Sequence, residues 1–259
     1  MNMKSEKDVV GNKTEPMVLY EDKDVLIIDK PYGWLTHEDG HSLESPIVVK
    51  WFCQKYPSAV GVGEAGYSPK GQELNRSGVV HRLDRETSGV LVLAKNQEAY
   101  EHLKQQFKDR QVYKEYRAFV YGRMNDRWGT INRPIGRSAK DSRRRSAERG
   151  SKGVRREAIT DFERIGMGEY EDESFSYVKL IPKTGRTHQL RVHLRAIDRP
   201  IVKDSLYAEH KISGSNNLKM DRLALHAHVL EIQLPNGSRE RYIAPVPQDF
   251  EEAAERIAE

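Results

Sequence analysis

HRLDRETSGVLVLAKN, residues 81–96, sets a charged turn directly before an apolar run. In the turn Asp84 stands between Arg82 and Arg85, and Glu86, Thr87, Ser88 and Gly89 follow. Residues 90–94 are all apolar and predict a buried strand. An isolated Asp between arginines most often makes a surface ion pair of little energetic worth. Here the turn packs histidine, arginine, aspartate, threonine, serine and glycine together between apolar segments. Flanking cations favour the ionised form of a carboxylate. An ionised carboxylate can form a covalent intermediate at an electrophilic sugar carbon. Asp84 is therefore a candidate nucleophile, and Arg82 a candidate nucleic-acid contact, since guanidinium planes stack on bases and pair with phosphates.

Upstream, residues 25–29 (VLIID) predict a strand, broken by Lys30-Pro31-Tyr32-Gly33. Ser45-Pro46 has the form of an N-cap followed by a first-turn proline, for a helix running to about Tyr56. Residues 57–77 are glycine-rich and polar, which predicts a flexible loop. Downstream, Asn96 is placed to cap a helix carrying Ala99, Leu103 and Phe107 on one face. Residues 114–121 alternate as a strand does. Residues 158–165 and 175–181 predict two more strands, joined by an acidic, glycine-containing connection. A helix is expected from about Arg186 to Ala196, with Leu190, Leu194 and Ile197 on one face and His188, Arg191 and Arg195 on another. Residues 223–234 and 239–244 predict a hairpin through Asn236-Gly237. Asp249 and Glu252 have capping-box spacing for a short C-terminal helix. Strands dominate and hairpins recur, so the expected class is α+β: a large, mostly antiparallel mixed sheet with flanking helices and loops.

The chain has 259 residues, 32% of them charged and 8% aromatic, the composition of a soluble globular protein. Residues 1–16 are polar and predict a flexible tail; residues 17–259 are expected to form one domain, with no separate N-terminal RNA-binding module before it. There is no apolar segment of signal-peptide or membrane-spanning length. Cys53 is the single cysteine, which points to a reducing compartment, the cytoplasm. Net charge is +4, yet residues 137–156 hold nine Lys or Arg against Asp141 and Glu148. Such density predicts a loop or long exposed hairpin that meets phosphates, with Arg143, Arg144, Arg145, Arg155 and Arg156 as its contacts. The pairs His188/His193 and His226/His228 come with neither a cysteine ligand nor a zinc-protease HExxH motif, so no metal is expected. With no exposed apolar stripe, a monomer without an obligate protein partner is expected.

His81-Arg82-Leu83-Asp84-Arg85-Glu86-Thr87-Ser88-Gly89 resembles the HRLDxxTSG signature of the RluA-type family of RNA pseudouridine synthases. Three further stretches are similar to motifs of that family. Residues 29–37 (DKPYGWLTH) resemble NKPxGxxxH, with Asp29 in place of the usual Asn. Lys114-Glu115-Tyr116 resembles KxY, and residues 184–193 resemble TGRxHQ(I/L)RxH. The resemblance implies a pseudouridine synthase fold and a cofactor-free isomerisation of uridine in ribosomal or transfer RNA. It implies Asp84 as the catalytic aspartate, Tyr116 as the platform for the target base, Arg191 as the cation paired with Asp84, and Arg82 as the residue entering the RNA where the uridine has flipped out. The 29–37 stretch is expected to support Asp84. Two rival readings remain: an RNA-binding or ribosome-assembly factor on the same fold without chemistry, and a glycosidase in which Glu86 partners Asp84.

Overall fold

Ser88–Ala94 is a strand, and every residue of it is buried. The computed structural model describes residues 14–38, 45–67, 71, 73–148 and 151–258, so most of the expected tail over residues 1–16 lies outside the described residues. In chain order the strands and helices are β1 (Met17–Glu21), β2 (Val25–Lys30), α1 (Val48–Lys55), β3 (Gly66–Tyr67), β4 (Glu73–Leu74), β5 (Ser88–Ala94), α2 (Gln97–Lys108), β6 (Tyr113–Tyr121), β7 (Trp128–Asn132), β8 (Ile135–Arg137), β9 (Arg145–Ser146), β10 (Lys152–Arg156), β11 (Ile159–Tyr170), β12 (Glu173–Pro182), α3 (Gln189–Ala196), α4 (Glu209–Ile212), β13 (Leu225–Gln233), β14 (Arg239–Ile243) and α5 (Gln248–Arg256). Nine strands form one sheet in the order β1-β2-β5-β13-β6-β12-β11-β7, with β14 paired to β13. Among these strands only β5 and β13 run parallel. The architecture is the expected α+β fold with a large, mostly antiparallel sheet.

The register of the central strands decides where the chemistry sits. Gly89 of β5 stands opposite Ala227 of β13, Ala227 opposite Tyr116 of β6, and Tyr116 opposite Leu180 of β12. Strands lie roughly 4.8 Å apart, so the exit of the 81–89 turn and Tyr116 are about 10 Å apart across the sheet. Gly89 has φ +118°, and a Cβ there would stand 2.1 Å from the Ala227 carbonyl oxygen. A residue without a side chain is therefore required where the turn feeds into the parallel pair. Two apolar clusters hold the sheet. One joins β2 and β5 to α1 and α2 through Leu26, Ile28, Phe52, Leu91 and Leu103. The other joins β6 and β12 to α5 through Phe119, Phe175, Leu180 and Phe250. Each fully buried side chain of this kind contributes about 1.5–3 kcal/mol. Tyr116 packs against both clusters and so marks the seam between them.

Several local expectations are corrected. Helix α1 is not capped by Ser45: its first free amides, of Val48 and Val49, donate to the Leu35 and Thr36 carbonyls, so no side-chain cap is needed. Among the described residues of the 57–77 stretch, a 3-10 turn at Pro57–Ala59 and the β3–β4 pair stand where a flexible loop is expected. Strand β11 runs past Gly166 and Gly168 to Tyr170, because β12 pairs with it along its length across a bulge. Helix α3 begins at Gln189, not at Arg186; the Gln189 side chain folds back to accept from the Arg186 amide, and His188 has φ +55°. The Asp249–Glu252 capping box does not form, since the Asp249 carboxylate is taken by Arg222 at 2.7 and 2.9 Å. Asn96 does cap α2, accepting from the Ala99 amide at 2.9 Å. Residues 137–156 contribute to a separate three-stranded sheet in the order β10-β8-β9.

Candidate active site

The 81–89 turn is clamped from below by the stretch at residues 29–37. The Thr36 hydroxyl donates to the Leu83 carbonyl at 2.9 Å and accepts from the Leu83 amide at 3.2 Å. The Gly33 amide donates to the Arg85 carbonyl at 2.8 Å. Lys30 is fully buried, and its ammonium donates to the carbonyls of Pro31 and Trp34 at 2.9 Å and of Arg85 at 3.4 Å. Burial pulls this ammonium down to about 7, against the Asp84 and Asp29 carboxylates that hold it up. Behind the turn, Ser88 Oγ accepts from Arg222 Nη1 at 3.0 Å and is hydrogen-bonded to His226 Nδ1 at 2.9 Å. Asp84 is thus carried on a loop fixed at both ends.

Asp84, Tyr116, Arg191 and Arg82 all line one cleft of about 560 Å³. A second hollow, of about 630 Å³, lies behind the Lys30–Tyr32 turn against α5, and neither Asp84 nor Tyr116 reaches it. Arg191 is 4% exposed and fully engaged. Its Nε and Nη2 bind the two oxygens of buried Asp204 at 2.8 and 2.7 Å. Its Nη1 faces Asp84 Oδ2 at 3.4 Å, and Nη2 lies 3.5 Å from Glu86. Burial opposes the Arg191 charge, but the Asp204 hydrogen bonds and charge, then Asp84 and Glu86, more than offset it. A guanidinium fixed along one edge by Asp204 therefore offers its other edge to Asp84. Tyr116 is raised well above the ordinary phenol range, first by burial and then by the Asp84 charge. It enters the cleft as a neutral ring with a protonated hydroxyl.

His188 forms another side of the cleft. Tyr207 Oη accepts the Arg145 amide at 2.9 Å and is hydrogen-bonded to His188 Nδ1, also at 2.9 Å. His188 Nε2 faces Asp84 Oδ2 at 3.9 Å. Burial, and then the Arg191 charge, lower the His188 pKa, while Asp84 opposes them.

Residues 24–196 match the family described as RNA pseudouridylate synthase. The chain belongs to that family, in its RluA-type branch. An uncharacterised RNA pseudouridine synthase of Synechocystis is 36% identical over 94% of the chain and 69% of its own length. The ribosomal large subunit pseudouridine synthase D of Borreliella burgdorferi is 38% identical over 90% of the chain and 66% of its own length. Among solved structures, the human RNA pseudouridylate synthase domain containing 1 superposes with a TM-score of 0.68 at 28% identity, covering 90% of this chain and 84% of that one. This synthase is accordingly an isomerase.

Several residues of the synthase site went unread in the sequence. Asp204 and Tyr207 stand in a short turn, and only the fold brings them beneath Arg191 and His188. A signal existed in a lone Asp between Ile201-Val202 and Leu206-Tyr207, yet many turns look alike. His188 was read as a metal candidate and as part of a helix face, and Lys30 as part of a strand break within the stretch expected to support Asp84. The face expected to unite His188, Arg191 and Arg195 does not exist: His188 precedes the helix, Arg191 is buried, and Arg195 pairs with Asp198 at 3.1 Å. The basic segment lies apart from the cleft lining. Its Arg144 pairs with Glu209 at 2.6 Å and Arg143 with Asp141 at 2.8 Å, whereas Arg155 and Arg156 are exposed. Arg82 is exposed and its Nη1 lies 2.9 Å from His37 Nε2.

Proposed function

We propose that this synthase isomerises a uridine in ribosomal RNA of the large subunit, with Asp84 acting at the ribose. The observation that carries the reading is the Asp204–Arg191–Asp84 chain opening into a cleft that Tyr116 also lines. The bond between ribose and uracil N1 breaks, the base turns, and a ring carbon rejoins the ribose. Asp84 attacks the anomeric carbon or removes the neighbouring sugar proton; both need a carboxylate with a fixed cation beside it. The free base must stay trapped while it turns, and the Tyr116 ring offers a face for stacking. Flipping the uridine out costs a few kcal/mol, and Arg82 entering the gap offsets part of it.

The choice of ribosomal RNA is supported by relatives that bear the name ribosomal large subunit pseudouridine synthase D. The basic segment at residues 137–156 supports binding to RNA outside the cleft. The single cysteine supports a cytoplasmic location, and no helix among the described residues is long and apolar enough to cross a membrane. The working unit we propose is a monomer. A glycosidase would need a second carboxylate facing the substrate; Glu86 is turned toward Arg191 and does not line the cleft. The decisive experiment is Asp84→Asn. It should retain RNA binding and lose pseudouridine formation on bulk RNA from cells lacking the gene. Normal turnover by the Asn variant would overturn the assignment. A position-resolved pseudouridine map of the same cells should show a missing site in large-subunit RNA.

A further inference from the structure

Lys114 lines the active-site cleft on the same strand as Tyr116. Two residues apart on β6, the two side chains leave the same face of the sheet. The Lys114 ammonium passes toward the turn before α3, where a Cβ on Gly185 would stand 4.0 Å from Nζ. It stands over the Phe107 ring, with the centroid 6.0 Å away.

What sets Lys114 apart is the lack of an acid beside it. Arg110 pairs with Glu157 at 2.9 Å, and Lys183 with Asp161 at 3.1 Å. Arg186 Nε donates to the Glu157 carbonyl at 2.9 Å, and Arg191 is gripped by Asp204. Lys108 has no such partner but is exposed to water. Among the described residues Lys114 alone of these cations is half-buried while its ammonium makes neither a hydrogen bond nor an ion pair. Burial lowers its pKa, and its charge helps hold His81 neutral. A half-buried, unpaired ammonium costs stability in the free protein. An unsatisfied polar group that faces a cleft points to a partner arriving with the ligand.

We infer that Lys114 Nζ is a binding point for an anionic oxygen of the target nucleotide. That oxygen belongs either to the phosphate beside the flipped uridine or to the uracil ring. When the bond from ribose C1′ to uracil N1 breaks, its electron pair passes to the base and spreads onto the ring carbonyl oxygens, so the uracil also becomes an anion. The inference rests on the synthase reading above.

The test is Lys114→Met under single turnover, with enzyme in excess over bulk RNA from cells lacking the gene, and pseudouridine as the readout. Loss of a phosphate contact raises the half-saturating enzyme concentration about tenfold and flattens its salt dependence by about one unit of log–log slope, leaving the limiting rate unchanged. Loss of a contact to the base lowers the limiting rate about tenfold instead, with half-saturation and salt slope unchanged. Either result supports the inference and identifies the oxygen. Thermal melting of the free variant separates function from structure: removal of an unpaired charge leaves the melting temperature equal or higher. A lower melting temperature would make the ammonium a structural element and overturn the inference. So would a Met variant with wild-type half-saturation, salt slope and limiting rate. If the wild-type enzyme itself forms no pseudouridine, the synthase reading fails instead.

Discussion

Arg191 keeps its charge in the interior because Asp204 stands opposite it. Asp204 is fully buried and also accepts the Leu206 and Tyr207 amides at 3.0 Å, so it is fixed before it meets the guanidinium. Asp204→Ala leaves that guanidinium buried without its main partner. We expect a loss of about 3–5 kcal/mol in urea unfolding, together with loss of pseudouridine formation as Arg191 swings off Asp84. His226 supplies a prediction about pH. It is fully buried, and its pKa is lowered to about 3, first by burial and then by the Arg222 charge. The unfolded chain binds this proton near pH 6.5, well before the folded protein does. The stability that neutral His226 contributes is therefore complete above pH 6.5 and lost as pH falls from 6.5 toward 3. The slope is about 1.4 kcal/mol per pH unit for this one group. Urea midpoints measured across that window should fall more steeply in the wild type than in His226→Gln.

At the scale of the element, β5 and the turn before it behave as one device. The turn is held by Thr36 and Lys30 on one side and by Arg222 and His226, through Ser88, on the other. Gly89 then passes close against Ala227 so that the parallel pair can form. Gly89→Ala introduces both a strained φ and an overlap with backbone that has no freedom to retreat. The expected cost is at least about 2 kcal/mol in urea unfolding, with pseudouridine formation lost beyond what the unfolded fraction explains. The β11–β12 hairpin gives the opposite case. Its turn residues Glu171 and Asp172 have φ +48° and +63°, a conformation that glycine adopts without strain. Asp172→Gly should raise the thermal midpoint by a few degrees while leaving activity unchanged, since the turn is remote from the cleft lining.

Across the whole molecule, the cleft and the basic three-stranded sheet are separate surfaces joined where Ile135 and Ala147 pack with Val192 and Tyr207. The Arg145 amide reaches Tyr207, and Arg144 reaches Glu209. The segment that carries Asp204 therefore also anchors β9. Arg143, Arg155 and Arg156 expose their charge on this sheet. Replacing these three with Gln should weaken RNA binding uniformly and lower the salt slope by about two to three units. The limiting single-turnover rate should stay unchanged, because none of the three lines the cleft. An unchanged salt slope would remove this sheet from the RNA-binding surface.

Residues close in sequence carry their meaning in local patterns, and there the sequence alone was enough. The apolar run after Gly89, the hairpin at Asn236-Gly237 and the Asn96 cap each depend on neighbours within a few positions. The four motifs likewise picked out Asp84, Tyr116 and Arg191, which the fold places along one cleft. Edge strands β1 and β7 escaped notice because half-exposed strands have weak alternation. Ser45 and Asp249 misled as caps because the folded chain supplied competing partners, the carbonyls at positions 35 and 36 in one case and Arg222 in the other. What only the tertiary structure decided is the support of the site. Arg191 lies 107 positions from Asp84, Tyr207 lies 62 from Arg145, and Ser88 lies 138 from His226. A hydrogen bond needs its partners within about 3 Å, and over such separations only the packed sheet brings them there. The same holds for Lys114, which among the described residues has no hydrogen-bond or ion-pair partner for its ammonium, a feature visible only once the fold has placed the carboxylates around it.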